Sequence, residues 1–144
     1  MFAVKTGAVD AKIVKTSSVV VKHWVLMKCR FGCGSYGTTR ACPPYAPLPE
    51  ELKIILGEYK SAILVKFEAD SPEGAFRISH DIMPKVEREA FLMGYYNAFA
   101  LAAGPCQFCE ECNPDNCKNM DLSRPSLEGC GVESMRLRKR LASM

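Results

Sequence analysis

Apolar and polar positions along this chain fall into short segments, each interrupted by Gly, Pro or Ser, rather than into one long periodic run. Lys12 to Lys28 reads as extended structure, with the β-branched run Val19, Val20, Val21 after the turn-like Thr16-Ser17-Ser18. It predicts one strand near Ala11–Lys15 and another near Val19–Met27, the second delivering Cys29 to a loop. From Cys29 to Pro49 the glycines and prolines exclude regular structure.

Pro49-Glu50-Glu51-Leu52 then predicts a helix start, with proline in the first turn and acids at the positive end of the dipole. Leu52, Ile55, Leu56 and Tyr59 share one face of that helix. Ser61–Glu68 is the clearest strand, and its nearly continuous apolar centre predicts an interior place in a sheet. Asp70–Gly74 reads as a turn. The next helix is predicted from about Asp81 to Tyr96, with Pro84 in its first turn and Ile82, Val86, Ala90 and Phe91 on its buried side. Phe99–Ala103 predicts a short strand, and Val132–Leu141 a last helix. The architecture expected is α/β, a single domain over residues 1–144. It has a small mixed sheet, about three helices and two cysteine-rich loops, at about 29–49 and 104–131, converging at one end of the sheet.

Composition adds little to this except at cysteine. The chain of 144 residues is 48% hydrophobic and 24% charged, ordinary for a folded domain with a real core. No run approaches the ~20 apolar residues of a membrane span, so no membrane role is expected. The first residues lack the apolar stretch of a signal peptide, and a cytoplasmic location is the expectation. In a reducing cytosol eight cysteines are expected to be ligands; in an oxidising compartment they would make four bridges.

Four cysteines form the run Cys106-x2-Cys109-x2-Cys112-x4-Cys117, and Cys130 follows. The first three match the spacing of a ferredoxin-type [4Fe-4S] loop; the fourth lies one residue late and lacks the following proline. Cys117 either completes this site or reaches a second one, leaving Cys130 or an N-terminal cysteine to complete the first. The second group is Cys29-x3-Cys33-x8-Cys42, followed by Pro43-Pro44, with Gly32, Gly34 and Gly37 allowing close backbone approach. Its first step matches the loop of radical S-adenosylmethionine enzymes, but the third cysteine is six residues late and the chain is too short for their barrel. Three cysteines call for a fourth ligand, and Cys130 is the candidate. Zinc competes as cofactor, although its sites usually show two chelating pairs with a spacer, which Cys109 and Cys112 are too close to form. Redox disulfides are the remaining alternative.

The formal charge of +3 changes with metal: eight thiolates and two cluster cores of roughly +2 each would bring the chain to about −1. Nucleic acid is therefore not the expected partner; a protein redox partner is. His23 and His80 are expected in surface or capping roles. Arg40 and Arg124 flank cysteine segments, where they either balance cluster charge or are solvated. Arg136, Arg138, Lys139 and Arg140 read as the solvated face of the last helix. Tyr95, Tyr96 and Phe99 read as core, Glu110 and Glu111 as solvated loop carboxylates, and Glu58, Glu87 and Glu89 form no catalytic pair. No phosphate-binding loop, dinucleotide turn, nucleophile elbow or H-E-x-x-H segment is present.

The segments C-R-F-G-C-G-S-Y-G-T-T-R-A-C-P-P-Y-A-P with P-E-E-L after it, G-Y-Y-N-A-F-A-L-A-A-G-P-C-Q-F-C-E-E-C, and R-P-S-L-E-G-C-G-V-E cover most of the chain from Cys29 to Glu133. In them the chain resembles an uncharacterised family of small archaeal and anaerobic-bacterial proteins known as predicted metal-binding. The resemblance implies metal binding through Cys29, Cys33, Cys42, Cys106, Cys109, Cys112 and Cys117, and favours a role for Cys130. It brings no established reaction. The function expected is that of an iron–sulfur protein of an anaerobe with one or two [4Fe-4S] clusters, in electron transfer or as an accessory subunit of a redox system. A structural or regulatory zinc module is the runner-up, and an enzyme using a cluster with an open iron the third reading.

Overall fold

Two six-residue segments of aliphatic and β-branched side chains pair to form the sheet. Strand β1 (Asp10–Lys15) runs antiparallel to β2 (Ser61–Lys66), with Asp10 opposite Lys66 and Lys15 opposite Ser61. The α/β class is as expected, and the computed structural model describes residues 2–142. Among them are five α-helices: α1 (Phe2–Lys5), α2 (His23–Gly32), α3 (Pro49–Leu56), α4 (Pro72–Leu92) and α5 (Ser134–Ala142). Because the sheet has two strands, β2 is not interior. Its side chains alternate in exposure at the start and are half-buried after it, and Ile63 stays exposed opposite Ile13.

The strand expected at Val19–Met27 does not form. Val21 makes a single bridge to Val132, and Lys22 N–H donates to the Gly131 carbonyl at 2.8 Å. From His23 the chain is α-helical, because Val25, Leu26 and Cys29 share one helical face while Trp24, Met27 and Phe31 share the other. The first face is inward; Trp24, Met27 and Phe31 are exposed. Helical spacing thus prevails over the β-branched run, which ends two residues before the helix.

Helix α3 starts as expected, with Pro49 in its first turn and Glu51 Oε1 accepting the Leu48 N–H at 3.4 Å. Helix α4 starts nine residues earlier than the sequence suggested. Ser71 caps it by accepting the Gly74 N–H at 3.1 Å, and Pro72 opens the first turn, so the expected Asp70–Gly74 turn is a helix start. Pro84 consequently lies inside the helix, where it lacks the N–H that would reach the His80 carbonyl.

Between Met93 and Glu133 the described chain holds one three-residue 3-10 turn (Glu128–Cys130) and isolated bridges. The strand expected at Phe99–Ala103 is reduced to one bridge, Ala102 to Ser126, flanked by Leu127 N–H donating to the Ala102 carbonyl at 2.8 Å. Its alanines offer too little side chain to hold a longer ladder. Tyr95, Tyr96 and Phe99 are exposed, not core; Phe91 meets Tyr96 edge to face, and the Arg124 guanidinium lies over Phe99.

The core gathers Val21, Ala46, Leu52, Cys130, Val132 and Leu137, with Leu56, Leu64, Leu101 and Leu127 packed around it. The segment Gly131–Glu133 threads through it beside α2 and α3. Gly131 needs its φ of +89°, and a Cβ there would lie 2.8 Å from Pro49 Cγ. This packing fixes the turn 128–130 against α2 and so sets the floor of the cysteine region.

Candidate metal centre

All eight cysteines are free thiols. Cys29 sits in the last turns of α2, half-buried, and its thiol lies 3.9 Å from the Glu128 carbonyl. Cys33 follows one turn on at the helix end, where its N–H returns to the Cys29 carbonyl; its side chain is exposed. The loop then closes on itself through Gly37, whose φ of +74° lets its N–H donate to the Pro43 carbonyl at 2.8 Å. That closure brings Cys42, buried, back toward Cys29 and Cys33.

Burial is the main influence on these thiols. Burial, then Cys33, Glu128 and Cys42, push the Cys29 thiol up to about 11. Burial raises Cys42 as well, against the lowering hydrogen bond from Thr39, with Cys33, Glu128 and Cys106 adding to the rise. Burial likewise raises Cys106; the Phe108 backbone N–H opposes this, and Cys112, Cys117 and Cys109 add to it. Cys33 and Cys42 therefore lie within electrostatic reach of Cys29, and Cys109, Cys112 and Cys117 within reach of Cys106. Cys42 and Cys106 are where the sets meet. Among the described residues no three His, Cys, Asp or Glu side chains converge on a single ion position.

Cys130 stands apart from both. It has no exposed surface, belongs to the apolar core, and is pushed up to about 12 by burial, then by Glu128, Glu51 and Cys29. Cys29 is its one thiol neighbour in that set of influences.

Several residues that sequence reasoning passed over position these sulfurs. Thr39, buried, donates its hydroxyl to Cys42 Sγ and accepts the Cys106 N–H, each at 3.4 Å. Asn119 donates its backbone N–H to Cys117 Sγ and its side-chain amide to Cys109 Sγ, both at 3.4 Å. Glu128 takes the Ser126 hydroxyl at 3.0 Å and the Gly104 N–H at 3.3 Å. His80 departs furthest from expectation. It lies in the middle of α4, 1% exposed, with Nε2–H donating to the Gly104 carbonyl at 2.8 Å and the Phe108 ring at its edge. Its Nδ1 is buried without a partner. Burial lowers its pKa more than the Gly104 carbonyl, Glu128 and the Ala103 carbonyl raise it, so the ring is held neutral. The Ser79 hydroxyl accepts the Ala103 N–H at 3.0 Å, which makes Ala103-Gly104 a clamped entrance to the second set.

The remaining candidates have other partners. His23 is exposed and pairs with Glu50, as its surface role required. Arg124 is held by Glu87 through two bonds of 2.8 and 2.5 Å and is not turned to a sulfur. Glu110 and Glu111 are exposed, and Arg136 is exposed beside Glu133. No described helix is long and apolar enough to cross a membrane.

Neither curated proteins nor solved structures give a match to this chain. One family model does, over residues 12–143, a span that includes both thiol sets, Thr39, Asn119 and Cys130. By that match the chain belongs to the DUF2284 family, described as predicted metal-binding protein.

Proposed function

We propose that this metal-binding chain is an iron–sulfur protein with one or two [4Fe-4S] clusters, serving electron transfer or an accessory role in an anaerobic redox system of the cytoplasm. The observation that carries the reading is that hydrogen-bond donors reach a sulfur in each of the two cysteine groups that the spacing suggests, Thr39 at Cys42 and Asn119 at Cys109 and Cys117. Soft, grouped thiolates with N–H and O–H donors beside them suit a cluster's sulfur-rich surface.

In this reading Cys106, Cys109, Cys112 and Cys117 hold one cluster. Cys29, Cys33 and Cys42 hold the other, and Cys130 supplies the fourth ligand because the turn that carries it lies against α2 beside Cys29. A bound cluster would supply one-electron transfer at a potential set by its surroundings. Thr39 and Asn119 stabilise negative charge on Cys42, Cys109 and Cys117, while burial of Cys42 keeps water from that side. Cys33, exposed beside Phe31, offers the closest approach to a protein redox partner.

Purification without oxygen, followed by a visible spectrum and assays of iron, acid-labile sulfide and zinc per chain, tests this. A brown protein with equal iron and sulfide is expected. A colourless protein with stoichiometric zinc and no sulfide replaces it with the zinc module.

A further inference from the structure

We propose that Thr39 couples the two cysteine sets, so that ligating metal at Cys29, Cys33 and Cys42 raises the metal affinity of Cys106, Cys109, Cys112 and Cys117. This rests on the two sets binding metal, and not on whether the metal is a cluster or a single ion.

A threonine hydroxyl has one proton to give and two lone pairs. Here the proton points to Cys42 Sγ and a lone pair takes the Cys106 N–H, two bonds of 3.4 Å end to end. A thiol sulfur is a weak acceptor, which leaves the hydroxyl free to turn. A metal-bound sulfur is a thiolate and accepts a charge-assisted bond, which commits the proton to sulfur and the lone pairs to Cys106. Polarisation along such a chain strengthens the second bond as the first strengthens.

Cys106 is the first sulfur of a set carried on a stretch without helix or strand, with Glu110, Glu111, Asn113, Asp115 and Asn116 exposed between its sulfurs. Holding its first N–H in place removes conformations that metal binding would otherwise have to remove. Linkage makes the effect reciprocal: metal at the second set must favour the first by the same factor.

Cobalt(II) titration of the reduced full-length chain, read through sulfur-to-cobalt charge-transfer absorption, tests the coupling by a double-mutant cycle. Cys33→Ser disables the first set and leaves Cys106, Cys109, Cys112 and Cys117 as the four-sulfur site. We expect it to weaken cobalt binding there about 5-fold or more, the lower end of ordinary site-to-site coupling. In a Thr39→Val background, which keeps the shape and removes the hydroxyl, the same change is expected to have no effect; Thr39→Ser restores the wild-type response. Equal cobalt affinity of the second set with and without Cys33 overturns the proposal, and so does a Cys33 effect that survives Thr39→Val. Should Thr39→Val fail to fold, Thr39→Ala, which also removes the hydroxyl, takes its place in the cycle with the same two outcomes. A protein that takes up cobalt cooperatively but contains no acid-labile sulfide when purified without oxygen keeps this inference and loses the iron–sulfur reading.

Discussion

The imidazole of His80, wholly enclosed in the middle of α4, holds the carbonyl of Gly104 two residues before Cys106 at 2.8 Å. Replacing it by alanine removes a packed ring and strips a half-buried carbonyl of its donor. We expect His80→Ala to cost about 2–4 kcal/mol of stability, read from urea unfolding of the reduced, metal-free chain.

The same ring gives a pH signature. Its folded pKa lies below the unfolded value, so the unfolded chain takes up a proton first as pH falls. Stability should be full above the unfolded pKa of roughly 6.5, decline below it, and level off once pH passes the folded value. Glu128 faces the ring and opposes the effect without overcoming burial. Unfolding midpoints across pH 5–8 check this: His80→Gln should flatten the profile in that window.

Glu87 and Arg124 supply a second, more acidic signature. Burial pushes the Glu87 carboxyl up, but Arg124 and the Ala100 N–H together hold it below its ordinary value. The stability it confers is present above the unfolded carboxylate pKa and is lost as pH falls through the lower folded one. The pair is mostly shielded from solvent, so Glu87→Gln should cost about 1–3 kcal/mol at neutral pH and reduce the loss of stability on acidification.

At Gly104 a methyl group has no room. The φ is +70°, and a Cβ would stand 2.3 Å from the Phe76 ring. Gly104→Ala should destabilise the chain by about 1–3 kcal/mol or more. Thermal unfolding read by circular dichroism should show this before metal is added.

Asn119→Ala removes the amide that reaches Cys109 Sγ while keeping the backbone donor to Cys117. Outer partners of this kind are worth about 10-fold or more in metal affinity, and that loss is expected in a cobalt titration. If iron and sulfide are bound, the reduction potential should also shift negative, since a hydrogen bond to sulfur is lost.

Cys130→Ser tests the fourth ligand. If Cys130 completes the first set, iron per chain should fall; unchanged iron removes Cys130 from the site and leaves it as core.

The pattern of residues carried the strong local signals and missed those settled by distant contacts. Pro49 with its acids, the aliphatic run at Ser61–Lys66 and the α/β class were legible because capping, strand propensity and alternation act within a few residues. The Val19–Val21 run misled because the segment it meets, Val132-Glu133, lies more than a hundred residues away and supplies one bridge. Ser71-Pro72 read as part of a turn, whereas the Ser71 hydroxyl caps a helix that runs on through Pro84. At the site, cysteine spacing suggested the two sets. It could not reveal that Thr39 and Glu128 stand between them, since those contacts form only when residues 39 and 106, or 104 and 128, are brought together by the fold.

The long stretch from Met93 to Glu133, with its single 3-10 turn, has a consequence for the life of the protein in a cell. Its shape hangs on tethers from elsewhere: His80 and Ser79 from α4, Thr39 and Ala41 from the first cysteine loop. A protease that cuts unfolded segments will therefore sample this stretch first whenever its thiols are empty. Cleavage between Gly104 and Lys118 would then report metal loading, with the unloaded chain destroyed and the loaded one spared.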